Sequence, residues 1–312
     1  LRMTRIVTAG ASPSIQKTIF FRLLDLGGVN RSGGFRLDAS GKAVNAARVL
    51  HQLAPGSCVN VSPLGEENSA LFLSLADNDA LPVVSVSIPG RTRFCYTLLE
   101  PSSGRTTELV VDEAAVAGNY QSYADSLIKK VSDSIQGAQA LLIAGSRPEF
   151  WPEDLYPRMA AAARSAGIVF MADYRGKDLL ATLSESVPSI IKINDSEFCE
   201  TFACPAQLND ERLEWEIAER SREFNTIFVV TRGTRATIAA KRGTVYTKAV
   251  PGVRVQNTIG CGDAFSAGFL HSFVATGSLE AALDIGTDCA ARNAAVNRPG
   301  SILPEKDTNE RQ

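Results

Sequence analysis

The sequence predicts an α/β protein with a central, mostly parallel sheet flanked by helices and a small β lid. Three observations predict it. Short β-branched runs recur between stretches of helical periodicity, most of those runs are apolar at nearly every position, and two segments interrupt the rhythm with hairpin signals. The runs are Arg5–Ala9, Val59–Pro63, Ala140–Ala144, Ile168–Ala172, Ser189–Ile193 and Ile227–Thr231. Continuous apolar character suits strands covered on both faces. Between them lie helical patterns such as Ala43, Ala46, Ala47, Leu50 and Ala54, spaced so that one face is apolar. Strands alternating with helices imply a parallel sheet sandwiched by helices.

The interruptions define the lid. From Thr18 to Leu37 the chain carries Gly27, Gly28, Gly33 and Gly34 between apolar pieces. From Val83 to Val111 it reads as a strand, a turn at Pro89-Gly90, a strand over Thr92–Leu99, a turn at Pro101–Gly104 and a strand over Thr106–Val111. Both read as hairpins outside the main sheet. From Tyr120 onward long helices return, notably Leu208–Phe224, and the polar tail Pro304–Gln312 is expected to fray. Neither an internal repeat nor a low-complexity tract is visible. The 312 residues hold about two average domains' worth of chain, yet α/β units often run this long, so one domain over 1–312 is expected, with a lid from about 16–38 and 88–112.

Composition narrows the function. With 45% hydrophobic and 21% charged residues the chain is neither disordered nor disulfide-stapled. A net charge of −2 gives no bulk reason to bind nucleic acid or an anionic membrane, so a charged ligand needs a local site. The six cysteines form no CxxC pair, which suits a reducing compartment. With only His51 and His271, a multi-histidine metal site is excluded and a Ser-His-Asp triad disfavoured. No apolar run approaches the roughly 18 residues of a membrane span, and the start lacks the order of a signal peptide. A cytoplasmic protein is expected, with Met3 as its natural start.

Two segments carry chemistry. In Asn257-Thr258-Ile259-Gly260-Cys261-Gly262-Asp263 two glycines flank Cys261, and Phe265, Phe269 and Phe273 then recur every fourth residue, so a tight turn opens a helix. Unpaired amides at that helix start make Gly260, Cys261 and Gly262 a candidate cradle for the charge of a transferred phosphoryl group, with Asp263 at its rim. The competing reading makes the glycines plain turn residues and Asp263 an N-cap. In Ala39-Ser40-Gly41-Lys42-Ala43-Val44-Asn45 a small-residue turn leads into a helix with Lys42 and Asn45 near its start. A lysine is disfavoured beside the positive end of a helix dipole, so Lys42 makes best sense facing an anion. The alternative is an exposed first-turn lysine. The segment is not a Walker A loop, because Ala43 follows Gly41-Lys42.

Together these segments resemble the PfkB, or ribokinase-like, carbohydrate kinases. The C-terminal signature of that family runs Asp or Asn, Ser or Thr, any residue, Gly, Ala or Ser, Gly, Asp, and its N-terminal signature carries G-K-x-x-N-x-A. Gly145-Ser146-Arg147-Pro148 is similar to the family's GS-x-P turn, Lys192-Ile193-Asn194-Asp195-Ser196-Glu197 to K-P-N-x-x-E, and Thr231-Arg232-Gly233 to Ser/Thr-x-Gly. The likeness runs from about Thr4 to Pro304. It looks nearest to the branch of 1-phosphofructokinases and tagatose-6-phosphate kinases, through Gly90-Arg91-Thr92-Arg93, Lys42 with Asn45, and Asn257.

The resemblance implies a ribokinase-like, Rossmann-like fold, ATP as donor, Mg²⁺, a sugar phosphate as acceptor, and a homodimer through the lids. It implies Asp263 as general base and Gly260, Cys261 and Gly262 as anion hole. Gln16, Gly41, Lys42, Asn45, Arg93 and Ser146 would bind the acceptor. Lys192, Asn194, Thr231, Gly233, Gly260 and Gly262 would bind the nucleotide, and Asn194 and Glu197 would hold Mg²⁺ through water. The physical logic of phosphoryl transfer agrees: one carboxylate beside a ring of amides suffices once the reactants are positioned.

The sequence also departs from that pattern. Gln16 stands where the branch has the Asp of N-P-x-x-D, Cys261 replaces Ala or Ser, and Phe150, Ile193 and Ala236 stand where Gly, Pro and Gly are usual. The variants to weigh are a kinase for an unphosphorylated sugar or nucleoside, and a sugar- or nucleotide-binding homologue with weakened turnover. A dehydrogenase is disfavoured because no GxGxxG lies between strand and helix.

Overall fold

The computed structural model describes residues 5–111, 117–205 and 208–304. The tail expected to fray beyond Pro304, and the end of the lid at 112, lie outside them.

The predicted runs form a nine-stranded sheet in the order β13-β12-β11-β10-β9-β8-β1-β4-β5. Its parallel part comprises β1 (Ile6–Ala9), β4 (Cys58–Gly65), β5 (Val83–Ile88), β8 (Ala140–Ala144), β9 (Val169–Asp173), β10 (Ile190–Asn194) and β11 (Ile227–Arg232). Two antiparallel strands, β12 (Arg235–Lys241) and β13 (Thr244–Lys248), close one edge. The sequence reading did not foresee that hairpin.

Alternation along each strand splits the core in two, because successive side chains leave a strand on opposite faces. Leu141 and Ile143 of β8 join Val7 and Ala9 on one face, under α3 (Tyr120–Ser134), α4 (Leu155–Ser165), α5 (Gly176–Glu185), α6 (Asp195–Phe202) and α7 (Asp210–Glu223). Leu142 and Ala144 join Ile6 on the other, under α1 (Lys42–Leu53), α2 (Ser69–Asp77), α8 (Cys261–Thr276) and α9 (Leu279–Ala294). Both faces are apolar, as the continuous hydrophobic runs required.

The second sheet has four strands in the order β3-β2-β6-β7. These are β2 (Ser14–Phe20), β3 (Gly34–Ser40), β6 (Arg93–Glu100) and β7 (Arg105–Val110). One expectation is corrected here: Val83–Ile88, read as the first lid strand, is β5 of the main sheet and pairs parallel with β4. The physical boundary is the turn at Pro89-Gly90, beyond which the chain crosses over Gly65. A Cβ on Gly65 would lie 2.3 Å from the backbone carbon of Arg91, so only glycine lets the lid strand pass that closely.

Candidate active site

The lid sheet roofs the carboxyl ends of the parallel strands, where open α/β sheets place their ligands. Beneath it lies a cleft of about 420 Å³ lined from the lid by Ser14, Gln16 and Arg93, from the main sheet by Lys192 and Asn194, and from α6 and α8 by Glu197 and Asp263. Gly41, Lys42, Asn45, Ser146, Thr231, Gly260 and Gly262 also line it. Cys261 and Gly233 instead face an adjoining, more apolar cleft of about 390 Å³, shared with Val253, Phe265 and Ala294. Thr231, Thr258 and Gly262 border both, so the two open into each other.

The glycine turn decides the reading of Asp263. Gly260 adopts φ +83 and is the N-cap of α8, which leaves Asp263 in the third helical position. The alternative in which Asp263 caps the helix is therefore wrong. Its carboxylate is buried and turned across the cleft, where Oδ2 accepts from Asn45 Nδ2 at 2.8 Å. The Cys261 N–H is turned back onto Thr258 O at 3.4 Å, so the donors facing the cleft come from the glycines rather than from all three residues.

A chain of charges lies next to that turn. Asp173, at the end of β9, is 1% exposed and sits 3.2 Å from Lys192 Nζ and 3.6 Å from Lys42 Nζ. Ser266 Oγ, one turn beyond Asp263, donates to Asp173 Oδ2 at 2.6 Å. Lys192 reaches the glycine turn itself, since a Cβ on Gly262 would lie 2.8 Å from its Nζ. Burial alone would raise the Asp173 pKa, but Lys192 and Lys42 hold it below the usual carboxylate value. Asp173 in turn raises the Lys42 pKa and holds the amine protonated. For Asp263 burial prevails and the neighbouring Asp173 charge adds to it. Lys42, the Asn45 hydrogen bond and Lys192 oppose the shift without cancelling it, so its pKa is raised.

Asn194 and Glu197 form a reciprocal capping box at the start of α6: Asn194 Oδ1 accepts from the Glu197 N–H at 2.8 Å, and Glu197 Oε2 from the Asn194 N–H at 2.9 Å. Both still line the cleft. On the lid, Gln16 Nε2 donates to Thr97 Oγ1 at 2.8 Å, and the sheet register sets Gln16 beside Asp38 of β3 and Cys95 of β6.

The pfkB family carbohydrate kinase pattern matches residues 11–308. The chain belongs to the pfkB family of carbohydrate kinases. Phosphofructokinase-2 from Escherichia coli, in a crystal structure with fructose-6-phosphate, is similar at a TM-score of 0.82 and 22% identity over 94% of both chains. A protein from Thermotoga maritima described as a possible 1-phosphofructokinase is similar at 0.82 and 17% identity, over 94% of this chain and 93% of that one. A ribokinase from Arabidopsis thaliana, complexed with ribose and ATP, is similar at 0.71 and 18% identity over 97% and 96%. These likenesses give the chain the ribokinase-like fold.

Sequence reasoning missed Asp173, Ser266, Thr97 and Glu108. Asp173 carried a usable signal, because it is a carboxylate closing an apolar run (Val169, Phe170, Met171, Ala172) at the carboxyl end of a parallel strand. Glu108 lines the cleft from β7 and carried none, since its alternating strand reads like any solvated hairpin.

Proposed function

We propose that this pfkB-family kinase transfers the γ-phosphoryl group of ATP to a hydroxyl of a sugar phosphate, with Asp263 as general base. The observation that carries the reading is the buried Asp263 carboxylate at the glycine-rich start of α8, with Lys42 and Lys192 beside it. A raised pKa makes the carboxylate more basic, in the direction required of a proton acceptor.

The adenosine moiety fits the apolar cleft along Gly233, Val253 and Ala294, and the triphosphate then crosses Thr231 and Thr258 toward Gly260 and Gly262. Lys192 neutralises the phosphates over Gly262. Lys42 stands between Asp173 and Asp263, where it meets both the crossing phosphoryl group and the acceptor's phosphate. Gln16, Gly41 and Asn45 hold the sugar, and Arg93 and Ser146 its phosphate. Among the described residues no three His, Cys, Asp or Glu side chains gather into a metal cage. That donor set fits a hydrated Mg²⁺ carried by the nucleotide and held through water by Asn194 and Glu197. When bound, the ion would neutralise charge on the phosphates.

A second reading, an unphosphorylated acceptor, is favoured by Glu108, whose carboxylate lines the same cleft near Arg93 and opposes a phosphate. A kinetic screen of ATP consumption across hexose phosphates, free sugars and nucleosides decides. Higher kcat/KM for a free sugar or nucleoside than for every sugar phosphate would overturn the first reading.

The outer face of the lid supports a homodimer. Phe35 and Leu109 are 61% and 49% exposed there, with Lys17 Nζ 4.3 Å from the Phe35 ring. A second copy of the lid is the matching surface, and sedimentation of F35S at monomer mass against a dimeric parent would support it.

A further inference from the structure

We propose that Arg48 is a positioning residue for phosphoryl transfer: its guanidinium fixes which end of the Asn45 amide faces Asp263 and holds the Pro299–Gly300 loop against the glycine turn. The proposal rests on the reading of Asp263 as base.

A carboxamide has a donor end and an acceptor end, so its effect on a carboxylate depends on which end is presented. Asn45 Oδ1 is claimed by two donors, Arg48 Nη1 and Ser40 Oγ, each at 3.1 Å. With the oxygen so held, Nδ2 is the end that faces Asp263. The reverse orientation would set two oxygens against each other in a buried site, with no proton between them.

The same guanidinium reaches under the anion cradle. Arg48 Nη1 also donates to Pro299 O at 3.3 Å and Gly300 O at 3.4 Å, and Nη2 donates to Ala39 O. Gly300 is wedged between the two halves of the site. A Cβ there would lie 2.4 Å from Asn45 Cβ, and a Cβ on Gly260 would lie 2.3 Å from the Gly300 nitrogen. Arg48, Gly300 and Gly260 therefore form a continuous stack behind the turn, and Asn45 branches from it to the base.

Arg48 is 1% exposed, and its Nε pairs with Asp79 Oδ2 at 2.8 Å. Arg298 bridges Asp79 and Asp38, which balances the second cation in this pocket. A cation needed only for charge balance would be satisfied by Asp79. The planar fork is needed because four further acceptors converge on it, and a lysine cannot serve them together. The charged or titratable groups facing Asp263 are Lys42 from α1, Asp173 from β9, Lys192 from β10 and Cys261 from its own helix.

The experiment compares R48K, D79N and N45A with the parent, in the full chain with ATP and the best acceptor from the screen. R48K keeps a cation beside Asp79 but releases Asn45. Its kcat should fall about 10- to 100-fold with KM for ATP within threefold, and the acidic limb of the kcat/KM profile should move to higher pH as the carboxylate loses its donor. D79N should lower the melting temperature yet keep the parent's limb, and N45A R48K should be no slower than N45A alone. Should R48K not fold, R48Q is judged by the same criteria. An unmoved limb in the Arg48 variant, an equal shift in D79N, or additive losses in the double variant would overturn the proposal. Full activity in D263N would instead overturn the base assignment on which it rests.

Discussion

Replacing Asp263 with Asn separates catalysis from stability more cleanly than any other change in the site. The side chain keeps its size, and Asn45 Nδ2, now 2.8 Å from Oδ2, still finds a carbonyl oxygen there. What disappears is the proposed proton acceptor. Loss of a general base costs about 10²–10⁴ in rate, equivalent to about 2.7–5.4 kcal/mol of barrier. Stability should move the other way. Burial, aided by Asp173, raises the folded-state pKa of Asp263 above its unfolded value, so ionisation at neutral pH opposes folding. A neutral isostere removes that opposition, and the melting temperature at pH 7 should hold or rise. Near pH 3, where the carboxyl is protonated in both states, the gain should vanish. Coupled-assay kcat and scanning calorimetry on the same preparation test both halves. Activity within a few-fold of the parent refutes the base; a large drop in melting temperature refutes the account of a strained, buried carboxylate.

Further outcomes follow from the same geometry. Asp173→Asn leaves Lys42 and Lys192 without their shared counterion, so urea unfolding should show a loss of about 3–5 kcal/mol; a loss under 1 kcal/mol would mean the lysines are solvated. Lys42→Ala should lower kcat and raise the acceptor KM together, whereas Arg93→Ala should raise the acceptor KM alone by about 10- to 150-fold; identical patterns would contradict their separate placement. Gln16→Asp would set a carboxylate beside Asp38 on the neighbouring strand, so it should lower the melting temperature by more in the parent than in a D38N background; an additive double variant would show the two do not meet. Because the Asp263 pKa is raised, activity should fade on acidification at a pH above the ordinary carboxylate value of about 3.9; a rate flat down to pH 4 would exclude it as base.

The last of these substitutions shows where sequence reasoning stopped. Gln16 stood out as a departure from the family pattern, yet its cross-strand neighbour Asp38 did not, because register between β2 and β3 is not readable from either strand alone. The parallel strands were legible because burial on both faces leaves a continuous apolar run, and α8 because glycines precede a run of phenylalanines. Val83–Ile88 misled because an apolar run before a Pro-Gly turn looks the same as a main-sheet strand or a hairpin arm. The candidate site was legible in its glycines, Asp263, Lys42 and Asn45, which carry local motifs. Asp173 and Arg48 were not, since their partners lie far away in sequence: Asp173 with Ser266, Arg48 with Pro299.

The strand order also has a consequence for biosynthesis. β1 lies inside the sheet, with β4 and then β5 on one side, while β8, β9, β10 and β11 are laid down on the other in the order in which they leave the ribosome. β8 finds the open edge of β1 and each later strand the open edge of its predecessor, so the sheet can grow during translation without threading. The proposed catalytic parts follow a different schedule. Lys42 and Asn45 emerge early, Asp263 late, and the Pro299–Gly300 loop that backs the glycine turn comes last. The last strand, β13, thus precedes the glycine turn, and a chain that has made all its strands still lacks the proposed site. Ribosome-arrested chains with residues up to about 250 outside the exit tunnel should hydrolyse no ATP, and nucleotide turnover at that length would contradict this order of assembly.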